Sequence, residues 1–230
     1  AVVLQPMVSP RRAALDERNP QVPLVVYPPE RQPEKTVYSG LRAYVDKHVL
    51  LRTTEGEIRI ALRPEAAPNT AFIFRDLVAG GFYTDTTFHR VVPVGRAGKG
   101  FVIQGGDPTG AGDGTPGFEY ALEPSTLQHD FGVVSMAREK DPNTNGCQFF
   151  ICLSREETAR LDGLYCAFAR CVGEASAETI VKIARAPLES GSKEKPVKPV
   201  RIISAELVDA PPYGEGPAPV AAPGSGPVER

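Results

Sequence analysis

His48–Leu62, read as HVLLRTTEGEIRIAL, is the stretch that decides the fold class. Ile58, Ile60 and Leu62 alternate with Glu57, Arg59 and Ala61, the two-residue period of a half-buried strand. The segments His48–Thr54 and Glu57–Leu62 flank the turn pair Glu55-Gly56, so the stretch reads as two strands joined tightly. Further along, Asn69-Thr70 opens a predicted helix that runs to Ala79, with Ala71, Phe74, Leu77 and Val78 on one face and Gly80-Gly81 as its stop. Phe101–Gln104, Gly132–Met136, Gln148–Cys152 and Tyr165–Cys171 are short apolar strand candidates. Ser176 is read as the cap of a second helix through Ile180, Ile183 and Ala184, and Val200–Val208 alternates again as a last strand. Many short strands, two helices and Gly/Pro turns predict a mainly β protein, a closed antiparallel barrel capped by two α-helices.

Composition bounds what surrounds this middle. Of 23 prolines in 230 residues, 7 lie in residues 1–40 and 6 in residues 210–230. We therefore expect a proline-rich, mostly irregular extension over 1–42, a globular domain over 43–209, and a flexible Pro/Gly/Ala-rich tail over 210–230. Within the extension, the apolar piece Val22–Tyr27 is the part suited to lying across the domain. The charge balance is 26 − 28 = −2 with no basic run, so a nucleic-acid surface is not expected. Nor does any stretch approach the roughly 18 apolar residues of a membrane span, so no membrane insertion is expected. The sequence begins at Ala1 rather than Met, as after removal of a signal peptide or in an excised piece; the location is left open, with an extracytoplasmic one, secreted or periplasmic, favoured over a cytoplasmic one.

Several motif searches end in bland readings. Gly112–Gly117 spells G-x-G-x-x-G but carries Pro116 and lacks a βαβ context, so it reads as a turn. His48, His89 and His129 lack ligand spacing, and neither metal nor cofactor is expected. Glu156-Glu157 reads as a solvated turn rather than an acid/base pair.

The informative segments are Phe88-His89-Arg90-Val91-Val92-Pro93, Gly100–Pro108 (GFVIQGGDP), Gly132–Ala137 (GVVSMA), Asn143–Ile151 (NTNGCQFFI) and Leu161-Asp162-Gly163 with Phe168. In order and spacing, from roughly Ala43 to Asp209, the chain closely resembles the cyclophilin family of peptidyl-prolyl cis–trans isomerases. The resemblance implies a small barrel with a peptide groove on its outer face, and isomerase activity on X-Pro bonds of peptides and unfolded proteins. By position it makes Arg90 the catalytic arginine and Gln104 its polar neighbour. Phe101, Val102, Phe150 and Leu161 form a proline pocket, Tyr165 stands where many members have His, and Ala137 and the backbone of Arg138 line the groove. Gln148 joins these substrate-binding candidates. Strand parity supports the split between Phe149 and Phe150: one aromatic enters the core and the other faces the groove. His89 is expected to pack and hydrogen-bond structurally.

The residue types suit that chemistry. Rotation about a peptide bond costs about 18–20 kcal/mol because the C–N bond is partly double. X-Pro bonds populate both isomers and exchange over tens of seconds or longer. A guanidinium that donates to the prolyl nitrogen localises its lone pair, and arginine stays charged with a rigid donor fork. Groups that favour the twisted state over both planar isomers lower the barrier without nucleophile or cofactor. The alternative is a cyclophilin-like module that binds proline peptides with little catalysis.

Departures from the family pattern carry their own expectations. Val94–Gly100 (VGRAGKG) intervenes between Pro93 and Phe101 and is expected at the groove rim. Arg138 occupies a position that is often Asn, where the role is mainly backbone. Arg160 precedes Leu161 where many members carry Trp, which implies weak cyclosporin binding. Cys147, Cys152, Cys166 and Cys171 would face one another in pairs if their strands paired directly; four half-buried thiols are preferred over cross-strand disulfides. A monomer is expected.

Overall fold

A computed structural model describes residues 46–212 and 215–222 in full, and the backbone alone of four strands before them. Those four are β1 (Val3–Leu4), β2 (Ala13–Asp16), β3 (Asn19–Val25) and β4 (Leu41–Arg42), where mostly irregular chain is expected. Among the described residues, β1 pairs with β4 and β2 with β3.

The hairpin read from sequence is β5 (Lys47–Thr53) and β6 (Gly56–Leu62), in register from His48 opposite Ala61 to Thr53 opposite Gly56. Val49, Leu51, Ile58 and Ile60 are fully buried, as the period requires. The remaining strands are β7 (Thr87–Phe88), β8 (Arg90–Val92), β9 (Val102–Gly105), β10 (Val133–Met136), β11 (Phe149–Cys152), β12 (Ala167–Val172) and β13 (Val200–Asp209). They form one nine-stranded antiparallel sheet in the order β7-β13-β5-β6-β12-β10-β11-β9-β8. Its two end strands are separated in the chain by His89 alone, and an isolated bridge joins Thr87 to Asp107 beyond β9. The sheet therefore curls into a nearly closed barrel, with Arg90 at its seam. β7 and β8 escape sequence reading because two or three residues carry no measurable period.

Inside the barrel, Phe74 meets Tyr83, Phe149 and Phe168 at ring-centroid distances of 5.1, 5.4 and 4.9 Å. Phe74 comes from α1 (Pro68–Ala79), which starts on a proline whose missing N–H costs nothing there. The N-cap is Ala67, which has no capping side chain; the Glu123 carboxylate accepts from the Asn69 and Thr70 N–H groups at 3.0 and 2.7 Å instead. A third helix, α2 (Arg155–Thr158), is a single turn capped by Ser154. The last, α3 (Glu174–Ala184), begins after Gly173 rather than at Ser176. Ser176 lies inside it, donating to the Val172 carbonyl and accepting from the Arg59 N–H, so it ties the helix to β6.

The tail is not free along its whole length. The Gly173 N–H donates to the Ala218 carbonyl, the Val220 N–H to the Cys171 carbonyl, and Val220 is buried beside Gly132. Among the described residues no helix is long and apolar enough to cross a membrane. The four cysteines are buried free thiols. Their strands do not pair directly, because β10 lies between β11 and β12, so the symmetric register that would align them does not occur.

Candidate functional site

Adjacent residues on three strands go to opposite faces. Ile103, Val134 and Phe149 enter the barrel, whereas Val102, Val133 and Phe150 form a second apolar cluster outside with Cys152, Leu161 and Ala167. Over that cluster lies a cavity of about 300 Å³. Arg90, Phe101, Val102, Gln104, Ala137, Arg138, Phe150, Leu161 and Tyr165 all line it, every residue expected there except Gln148. Arg160 joins them.

Gln148 lines a neighbouring cavity that shares Gln104, Ala137 and Arg138 with the first. A chain of side-chain hydrogen bonds connects the two. Arg90 Nη1 donates to Gln104 Oε1 and Gln104 Nε2 donates to Gln148 Oε1, each at 3.0 Å. Gln148 Nε2 in turn donates to the Gly112 and Gly114 carbonyls at 3.0 and 3.1 Å. The glycine-rich turn is thus the acceptor that orients both amides. The Asp107 carboxylate holds it, accepting from the Thr109 and Gly112 N–H groups. Burial works to raise the Asp107 pKa, but those N–H donors outweigh it and hold the carboxyl below its usual range. Gly114 is required by close approach, since a Cβ there would sit 1.9 Å from Asp107 Oδ1.

Glu194 is the residue that sequence reading missed. Its carboxylate accepts from Arg90 Nε at 2.9 Å, and its carbonyl accepts from the Val91 N–H at 2.8 Å. The loop between α3 and β13 therefore covers the edge of β8 and grips the arginine at once. With Nε held by Glu194 and Nη1 by Gln104, the guanidinium plane is fixed and its other N–H groups are left for a ligand.

Beneath the pocket, His129 stacks on Phe150 with centroids 6.0 Å apart. Nδ1 lies 2.9 Å from Asp162 Oδ1 and Nε2 lies 3.0 Å from Ser135 Oγ. Burial keeps His129 below the usual histidine range, outweighing the opposing pull of Asp162. A neutral ring that donates from Nδ1 to Asp162 and accepts from Ser135 satisfies this geometry. Arg155 Nη2 binds Asp162 Oδ2 at 2.6 Å, which holds the Asp162 carboxyl well below the usual range. This network fixes Leu161 and Phe150, the apolar floor.

Three expectations need adjusting. His89 packs, but neither ring nitrogen has a hydrogen-bond partner among the described residues. Arg138 is more than backbone: its guanidinium lies 4.6 Å from the Tyr165 ring centroid and donates to the Leu164 carbonyl at 3.2 and 2.8 Å. Glu157 is not solvated; it is 2% exposed, and its carboxylate accepts from the Arg96, Ala97 and Lys99 N–H groups. The Val94–Gly100 segment therefore wraps a buried anion. Gly95 permits it, because a Cβ there would meet the Glu157 carboxyl carbon at 2.4 Å. The Ala137 N–H is bonded to the Gln148 carbonyl.

Comparison with known proteins converges on one family. Residues 48–207 match the family described as cyclophilin type peptidyl-prolyl cis-trans isomerase/CLD. The peptidyl-prolyl cis-trans isomerase-like 1 of Gibberella zeae is 36% identical over 167 residues, 70% of this chain and 95% of that protein. A peptidyl-prolyl cis-trans isomerase of Synechococcus elongatus is 38% identical over 149 residues, 65% of this chain and 93% of its own. The crystal structure of a Cryptosporidium parvum cyclophilin-type isomerase, obtained in the presence of the dipeptide Ala-Pro, aligns with a TM-score of 0.62 at 32% identity. That alignment covers 71% of this chain and 99% of the other.

Proposed function

The chain belongs to the family of cyclophilin-type peptidyl-prolyl cis-trans isomerases, and we propose that it catalyses rotation about X-Pro bonds in peptides and unfolded proteins, assisting folding. One observation carries this reading: the Arg90 guanidinium stands at an apolar pocket, immobilised on two sides by Glu194 and Gln104. The proline ring sits among Phe101, Val102, Phe150 and Leu161. As the amide twists, the prolyl nitrogen becomes pyramidal and gains a localised lone pair, which an Arg90 N–H meets. Gln104 gives one Nε2 hydrogen to Gln148 and keeps the second for the rotating carbonyl. These donors are in place before the reaction, so no reorganisation is needed when the charge develops.

Exchange spectroscopy on a short Ala-Pro peptide, with wild type and Arg90→Ala, tests the proposal. We expect catalysed exchange by wild type and a loss of about 100- to 1,000-fold in the variant, the size of one removed transition-state donor. Wild type no faster than the variant, with peptide still bound, would establish a binding module instead. Cyclosporin is expected to bind weakly because Arg160 replaces the family's Trp; a tight titration would refute this.

A further inference from the structure

Three guanidinium groups line the pocket, yet only Arg90 has a carboxylate partner among the described residues. Among the described residues Arg138 donates only to carbonyls, those of Leu164, Glu139 and Lys140. Arg160 is exposed, lies 4.4 Å from the Phe101 ring centroid, and makes no hydrogen bond or ion pair among the described residues. Phe101 and Tyr165 are both walls of the pocket, so each of these aromatic walls carries an arginine laid on it. Near Arg160, Glu157 is committed to the loop backbone and Asp162 to Arg155 and His129, while Glu156 is exposed; Glu139 adjoins Arg138. The loop that wraps Glu157 carries exposed Arg96 and Lys99. The neighbouring cavity is acidic on balance, with Asp113, Glu119 and Glu139 in its lining against Arg138.

We propose that Arg138 and Arg160 form an anion-binding rim, so that the preferred peptides carry a carboxylate or phosphate on a residue flanking the proline. This rests on the proline-pocket reading above. Stacking on Phe101 holds the Arg160 guanidinium flat and leaves its N–H edge free, the geometry that suits bidentate contact with carboxylate or phosphate. Arg160 contributes an unpaired charge with free donors, whereas Arg138 adds charge from between the two cavities with its donors given to carbonyls. The acidic neighbouring cavity directs the anion to the Arg160 side of the proline and disfavours it on the other. Because the rim is exposed, the gain per charge is modest and falls with salt.

The test is a panel of proline peptides with Ala, Glu, phosphoserine or Lys placed before or after the proline. Affinities are measured by NMR titration at low salt and at about 0.5 M salt, above the range where exposed charges interact strongly. Wild type, Arg160→Gln and Arg138→Gln are compared, with circular dichroism confirming the fold. The reading is the ratio of affinities within each protein. Wild type should bind the Glu peptide about 1.5- to fivefold tighter than the Ala peptide in at least one position, phosphoserine at least as tightly, and Lys more weakly. The ratio should collapse at high salt and shrink in Arg160→Gln. Equal affinities for Glu, Ala and Lys peptides would overturn the proposal, as would a ratio unchanged in both variants. Failure of every peptide to bind would overturn the pocket reading beneath it.

Discussion

Arg90 is held by partners from opposite parts of the chain. Gln104 lies 14 residues away on the paired strand, whereas Glu194 lies 104 residues away in a charged loop. The pair Arg90 and Gln104 is legible in sequence because both sit in a recognisable motif and face each other in strand register. Glu194 is not, since a carboxylate among Glu189, Lys193 and Lys195 looks like any solvated turn until the loop is folded onto β8. Its ion pair is half exposed and contributes little stability. Its consequence is orientation of the guanidinium. We expect Glu194→Gln to lower kcat about three- to tenfold, a cost of roughly 1 kcal/mol in the transition state, with KM little changed. A purely structural role would move the denaturation midpoint instead.

At the scale of elements, the insertion and α2 form one unit. Glu157 anchors Val94–Gly100, the Ser154 hydroxyl donates to the Gly100 carbonyl, and the Leu153 N–H donates to the Phe101 carbonyl. Phe101 hangs from the end of that loop, so loop order and pocket shape are coupled. Replacing Glu157 with Ala leaves the part-buried Arg96, Ala97 and Lys99 N–H groups without their acceptor. We expect a loss of about 1–3 kcal/mol in chemical denaturation, with weaker peptide binding. The same logic applies to α1, whose start is satisfied by Glu123 from a distant loop. Glu123→Ala should cost about 0.5–2 kcal/mol, the usual worth of a helix cap. Neither partner is visible locally, because sequence shows the need for a cap or anchor but not which remote carboxylate meets it.

For the molecule as a whole, the titrating groups set a stability profile. Burial holds His48, His89 and His129 below the ordinary histidine range. The unfolded chain therefore takes up protons near pH 6.5 before the folded one does, and the folded state loses ground as pH falls from there. The slope is at most about 1.4 kcal/mol per pH unit for each histidine. Asp162 adds a second step: its lowered pKa gives stability that is present above about pH 4 and lost below. Urea midpoints should hold steady above pH 7, decline between about 6.5 and 5, and drop again below 4. His129→Asn should flatten the first decline. Thiol chemistry reports the same burial. Burial pushes the Cys147 and Cys166 thiols up to about 12 and raises those of Cys152 and Cys171 as well. A thiol reagent should find four thiols in denaturant without reductant, and almost none in the native protein at pH 8.

The sequence by itself determined what depends on neighbours in the chain. The period-2 runs marked the β5–β6 hairpin, Gly80-Gly81 marked where α1 stops, and residue parity separated Phe149 from Phe150. The spacing from Phe88 to Leu161 was enough to identify the family. The tertiary structure alone decided the contacts that cross the chain. It placed Glu194 on Arg90, Glu157 inside the loop, Arg160 on Phe101, and Val220 against the barrel. It also set β10 between the two cysteine-bearing strands. The division has a physical reason. Backbone periodicity is a local property that each segment carries with it, whereas the partner of a charge depends on which loops the closed barrel brings within hydrogen-bond reach.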